Sequence, residues 1–107
     1  MKKINQKQAV DYIARLDEFE ASALSGRWAW VPQTGRLTDP VSLAQLDEAQ
    51  KLGAQIYVVF SYGTPIAWYS YTHDWHLVSQ KFSPTTSKHQ SVVRRATGFI
   101  VGKGVAA

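Results

Sequence analysis

The chain has 107 residues, no cysteine and a formal net charge of +4, a size that suits one domain because each half alone would bury too little apolar surface to offset chain entropy. The missing cysteines exclude disulfides, thiol catalysis and zinc ribbons. No run approaches the roughly 20 apolar residues of a membrane span, and Met1–Gln6 lacks the apolar middle of a secretory signal, so a cytoplasmic protein with no membrane partner is expected.

Charge is unevenly placed. Residues 1–50 carry six Lys/Arg against seven Asp/Glu, whereas residues 51–107 carry six Lys/Arg against Asp74 alone. The positive field therefore belongs to the second half, which reads either as a solvated basic face or as a surface for nucleic acid or another acidic partner.

In chain order, Asn5–Leu24 reads as an amphipathic helix: Ala9, Ile13, Leu16, Phe19 and Ala23 recur at three- and four-residue spacing, Asn5 can cap the start and Gly26 can end it. Trp28 and Trp30 share one face of an extended segment; they either plug the core or lie beneath the second helix, or, left exposed, form a contact site. Pro32–Arg36 is a turn-rich connector. Asp39-Pro40 then opens a second helix running to about Leu52, with Gly53 as its stop.

From Gln55 the composition becomes β-branched and aromatic. Ile56–Tyr62 and Ile66–Tyr71 flank Gly63-Thr64-Pro65, and Trp75–Phe82 follows the turn Thr72-His73-Asp74, predicting a three-stranded antiparallel meander. Period two puts Ile56, Val58, Phe60, Ile66 and Trp68 on one face and Tyr57, Val59, Ala67, Tyr69 and Tyr71 on the other. The first face must meet the helices. The second is either half-buried beneath a helix or a platform on which Tyr69 and Tyr71 stack unpaired bases.

Ser83–Ala96 starts as a turn and becomes the final helix. Ser87-Lys88-His89-Gln90 has the form of a capping box, with Val92, Val93 and Ala96 as the apolar stripe. Thr85, Thr86, Ser87, Lys88 and His89 surround this helix start, so it reads either as a well-capped end or as a seat for a phosphate or carboxylate, with Lys81, Arg94 and Arg95 extending a basic track.

Catalytic chemistry finds little support. His73 and His76 fall on opposite faces of a strand, unsuited to sharing a metal. A triple can be drawn from His89, Asp74 and Thr86, yet it lacks a nucleophile elbow or an oxyanion site, and no glycine loop cradles a phosphate; Gly98, Gly102 and Gly104 sit in a tail whose Phe99-Ile100-Val101 can form an edge strand or a core anchor. No catalytic residue, metal or cofactor is expected.

The segments Ser61-Tyr62-Gly63-Thr64-Pro65-Ile66-Ala67-Trp68 and Phe82-Ser83-Pro84-Thr85-Thr86-Ser87-Lys88-His89-Gln90 resemble a group of short bacteriophage and mobile-element accessory proteins. The resemblance implies a product acting inside a host cell on nucleic-acid machinery or defence. The expectation is thus one α+β domain: two N-terminal helices, a three-stranded antiparallel meander and a C-terminal helix. It would bind nucleic acid or a host nucleoprotein complex through its basic C-terminal face without catalysis. The alternative is a protein-only inhibitor docking on a host enzyme through apolar anchors. An aromatic content of 12% leaves room for a homodimer contact.

Overall fold

Helix α1 (Gln6–Ala14) begins at a capping box: Asn5 Oδ1 accepts the Gln8 N–H at 2.9 Å, and Gln8 Oε1 accepts the Asn5 N–H at 3.2 Å. It does not continue to Leu24. Leu16 adopts φ 60°, its N–H donates to the Ile13 carbonyl at 3.1 Å, and Asp17 N–H donates to the Tyr12 carbonyl at 2.9 Å. This is a Schellman ending with leucine where glycine is usual, so the apolar period runs through a stop that has no sequence mark.

Beyond that stop come β1 (Phe19–Ala21) and β2 (Leu24–Ala29), joined by a two-residue turn at Ser22-Ala23. Gly26, expected to end a helix, lies inside β2 opposite Phe19 and Val59. Helix α2 (Pro40–Lys51) starts as expected, with Asp39 Oδ2 accepting the Ser42 N–H at 3.2 Å. Then follow β3 (Ile56–Ser61), β4 (Thr64–Ser70), β5 (Asp74–Leu77) and α3 (Pro84–Val105). The computed structural model describes residues 3–105 apart from Val31, Pro32, Leu52, Ala54 and His73, with side chains described through Gly98.

The strands form one antiparallel sheet in the order β1-β2-β3-β4-β5. The expected three-stranded meander behind two N-terminal helices is thereby corrected: among the described residues the sheet has five strands, and β1 and β2 come between the first two of the three helices. Two further expectations change. The last strand stops at Leu77, well short of Phe82, and Phe99-Ile100-Val101 continue α3 in place of an edge strand.

Tyr62 and Gly63 both have positive φ (51° and 78°), the mark of a type I′ hairpin turn, so the β3–β4 reversal falls before Thr64-Pro65. Proline is tolerated in β4 because β5 pairs only with Ala67–Ser70 and leaves the far side of Pro65 unpaired. Val59 pairs with Ala67 but Phe60 pairs with Pro65, which makes Ile66 an extra, bulged residue.

Both faces of the sheet are covered. One cluster joins Ile56, Val58, Phe60 and Trp68 to Leu46 and Ala49 of α2; the other joins Tyr57, Val59 and Ala67 to Ala9 and Ile13 of α1 and Val93 and Ala96 of α3. The expected alternation holds except at Ile66, which the bulge turns to the α1/α3 side. Burial of each such large side chain stabilises the fold by about 1.5–3 kcal/mol. The tyrosine-bearing face is thus no open platform at its centre: Tyr57 is buried, Tyr69 half-buried and only Tyr71 exposed.

Gly26 is required by space. A Cβ there would fall on the Tyr57 hydroxyl and the Phe19 ring. We expect Gly26→Ala to lower stability by about 1–3 kcal/mol through overpacking, read as a lower urea midpoint with unchanged slope.

Candidate functional site

Helix α3 is seated by buried polar groups. Ser83 Oγ accepts the Thr86 N–H at 3.2 Å, and Pro84 occupies the first turn without an N–H of its own, so the cap lies at Ser83 and not at Ser87. Gln90, expected to close a capping box, instead donates from Nε2 to the carbonyls of Val78 (3.0 Å) and Gln80 (3.1 Å). Ser87 N–H is taken by the Ser83 carbonyl at 2.9 Å. These bonds satisfy much of the helix end internally.

Thr86 and His89, both expected at the surface, are buried, His89 completely. His89 Nε2 lies 3.0 Å from Gln6 Nε2 of α1, and Nδ1 lies 2.6 Å from Ser61 Oγ of β3. Ser61 Oγ in turn is 2.9 Å from Thr86 Oγ1. An amide nitrogen can only donate, so His89 Nε2 accepts, the proton resides on Nδ1 and donates to Ser61, and the Ser61 hydroxyl is free to donate to Thr86. This neutral chain joins α1, β3 and α3, and burial lowers the His89 pKa accordingly.

A second chain fixes the start of α2. Ser42 Oγ donates to Asp39 Oδ2 at 2.6 Å and lies 2.8 Å from His76 Nε2. With its own proton directed at the carboxylate, Ser42 must accept from His76 Nε2–H. The order acid–serine–histidine is the reverse of a hydrolytic relay, in which histidine accepts the serine proton and the acid orients the histidine. Ser42 is also buried. The hydrogen bond from Ser42 lowers the Asp39 pKa; burial lowers that of His76 against the opposing pull of Asp39.

The triple His89, Asp74 and Thr86 is only partly assembled: Thr86 and His89 both bond Ser61, while Asp74 Oδ1 accepts the Trp75 N–H at 2.9 Å at the start of β5. His73, weighed with His76 as a metal ligand on sequence grounds, lies outside the described residues. Among the described residues no helix is long and apolar enough to cross a membrane.

Two surface features stand out among the described residues. Lys81, Thr85, Lys88, Arg94 and Arg95 are exposed and Ser87 partly buried. Lys88 and Arg95, seven residues apart, share one stripe of α3 about 10 Å long, with Arg94 beside it and its Nη2 donating to Ser91 Oγ at 2.9 Å. The helix contains no acid, and the ion pairs Arg15–Asp17 and Lys51–Asp47 lie elsewhere in the fold.

At the far end of the sheet the expected stacking groups Tyr69 and Tyr71 belong to a larger aromatic cluster. Trp28 lies 5.8 Å from Tyr71 at 19° and 5.6 Å from Tyr57 at 65°, and Tyr69 and Trp75 complete it. Tyr57 donates to the Asp17 carbonyl at 2.6 Å, and burial pushes its phenol pKa up, keeping it a donor. Trp28 Nε1 donates to the Leu16 carbonyl at 3.2 Å. The two-residue spacing pairs Trp28 with Trp30, but nothing in the sequence brings Tyr71 to them. Ser61, Gln6 and Ser42 are likewise invisible in the sequence, because isolated polar residues carry no periodic signal.

Residues 31–101 match a family of unknown function, DUF8033. No curated protein and no solved structure matches the chain. The family brings no activity or origin with it, so the phage context implied by Ser61–Gln90 gains no support from it.

Both described histidines have pKa values lowered from the ordinary 6.5. Below that value the unfolded chain binds protons that the folded chain refuses, so stability falls as pH drops from about 6.5 toward the folded values. We expect the thermal midpoint to decline from pH 7 to 5, and less steeply in His89→Gln. Asp39, lowered from 3.8, contributes stability above that pH and loses it in a separate, more acidic window.

Proposed function

The chain belongs to the DUF8033 family, and we propose that it is a non-enzymatic cytoplasmic binding protein that takes nucleic acid on the outer face of α3. The observation that carries this reading is the exposed stripe of Lys88 and Arg95 with Arg94 at its side, on a 22-residue helix without one acidic residue. Cations so placed gain by displacing counterions from a phosphate backbone. Thr86, His89 and Gln90 serve it from beneath: by pinning α3 to β3, α1 and the β5–α3 connection, they hold the cations on a rigid rod. Lys81 and Thr85, both exposed, lie just before and at the helix start.

The reading favours phosphate contacts over base readout, since the stripe offers charge and little hydrogen-bonding variety. A protein partner held by apolar anchors, the second reading of the sequence, would keep its affinity across a salt series.

Binding of labelled DNA and RNA oligomers between 50 and 200 mM salt tests it. We expect steep weakening with salt, and in the double variant Lys88→Glu/Arg95→Glu a slope smaller by about one for each phosphate no longer neutralised. Both residues are exposed, so the variant should keep its stability within about 0.5 kcal/mol. Salt-independent binding, or retention of a single protein from nuclease-treated lysate with no oligomer binding, would remove the nucleic-acid reading.

A further inference from the structure

We propose that the open cleft between Trp28, Trp30 and Tyr71 receives an unpaired nucleobase, so that the protein selects single strands. This inference rests on the nucleic-acid reading of α3 and adds to it the form of the ligand. The cleft has a volume of about 480 Å³, with Gly53 and Gln55 completing its lining. One wall is fixed: Trp28 donates from Nε1 to the Leu16 carbonyl and from its backbone N–H to Glu18 Oε2, and Tyr71 lies nearly parallel upon it. The other, Trp30, is unstacked. Trp30 is 59% exposed and makes no ring contact with any described residue, and Tyr71 is 77% exposed.

Water gains little from such rings, whereas a base inserted among them gains a stacking face and meets the Gln55 amide, able to donate to and accept from its edge. Glu18 Oε2 accepts the Trp28 N–H and Asp74 Oδ1 the Trp75 N–H, so both carboxylates are tied to backbone beside the cluster.

The course of α3 relative to the cleft favours a base over other flat ligands. Thr86 and His89 fix the start of α3 at Ser61, the last residue of β3, and Val93 and Arg94 line a groove with Ile66 and Leu77 farther along the sheet. The helix therefore advances toward the Tyr57 and Tyr69 end. Tyr71 lies two residues beyond Tyr69, roughly 7 Å along an extended chain. A strand with its phosphates on Lys88, Arg94 and Arg95 thus leads toward the cleft. In a duplex each base is already stacked and paired and would have to be flipped out to enter.

Anisotropy titrations with an oligo-dT, an abasic oligomer of equal length and a duplex separate the two ideas. The intact oligomer should bind about tenfold tighter than the abasic one. Trp30→Ala and Tyr71→Ala should abolish that difference while leaving abasic and duplex binding unchanged. Equal affinity for intact and abasic oligomers would overturn the base site and leave the α3 reading standing; failure of all three to bind would remove both. A dimer that Trp30→Ala dissolves, without effect on oligo-dT binding, would instead assign the cleft to a second copy of the chain.

Discussion

Burial of β3 on both faces is the constraint on which the structure depends. All six of its residues are buried, and alternate side chains enter different cores. A strand of this kind cannot face water on either side, so the chain must supply helices to both. Helix α2, inserted between β2 and β3, covers Ile56, Val58 and Phe60; α1 and α3 together cover Tyr57 and Val59.

The same strand explains the seat of α3. Its last residue, Ser61, is polar yet 1% exposed, and a buried hydroxyl requires partners. Thr86 and His89 provide them, and Gln6 satisfies the remaining nitrogen of His89. These groups resemble catalytic material by residue type, but each is consumed in linking one element to another. Outside these bonds, the exterior of α3 carries exposed charge and the aromatic end of the sheet carries exposed ring surface.

Local chemistry was legible wherever it determined local geometry. Asn5 caps α1, Asp39-Pro40 opens α2, and the alternation from Ile56 to Phe60 sorts the faces as period two requires. Legibility ended where a residue took an unfavoured role under tertiary pressure. Leu16 occupies a left-handed position, so the helical period of the sequence runs on across β1. Ile66 sits at a bulge and changes face. Ser83 captures the cap that Ser87 resembles, because Gln90 finds two carbonyls across the fold instead of reaching back.

For the candidate site the division is similar. Charge and spacing are properties of the chain, so the basic second half, the absence of acids from α3 and the nearness of Trp28 to Trp30 can all be read from the residues alone. Which of those residues face water was settled by packing. Folding withdrew Thr86 and His89 into the interior, left Lys88, Arg94 and Arg95 outside, and brought Tyr71 against Trp28 from a strand more than forty residues away. Burial and long-range contact depend on the packing of all the elements at once, and no window of sequence contains that information.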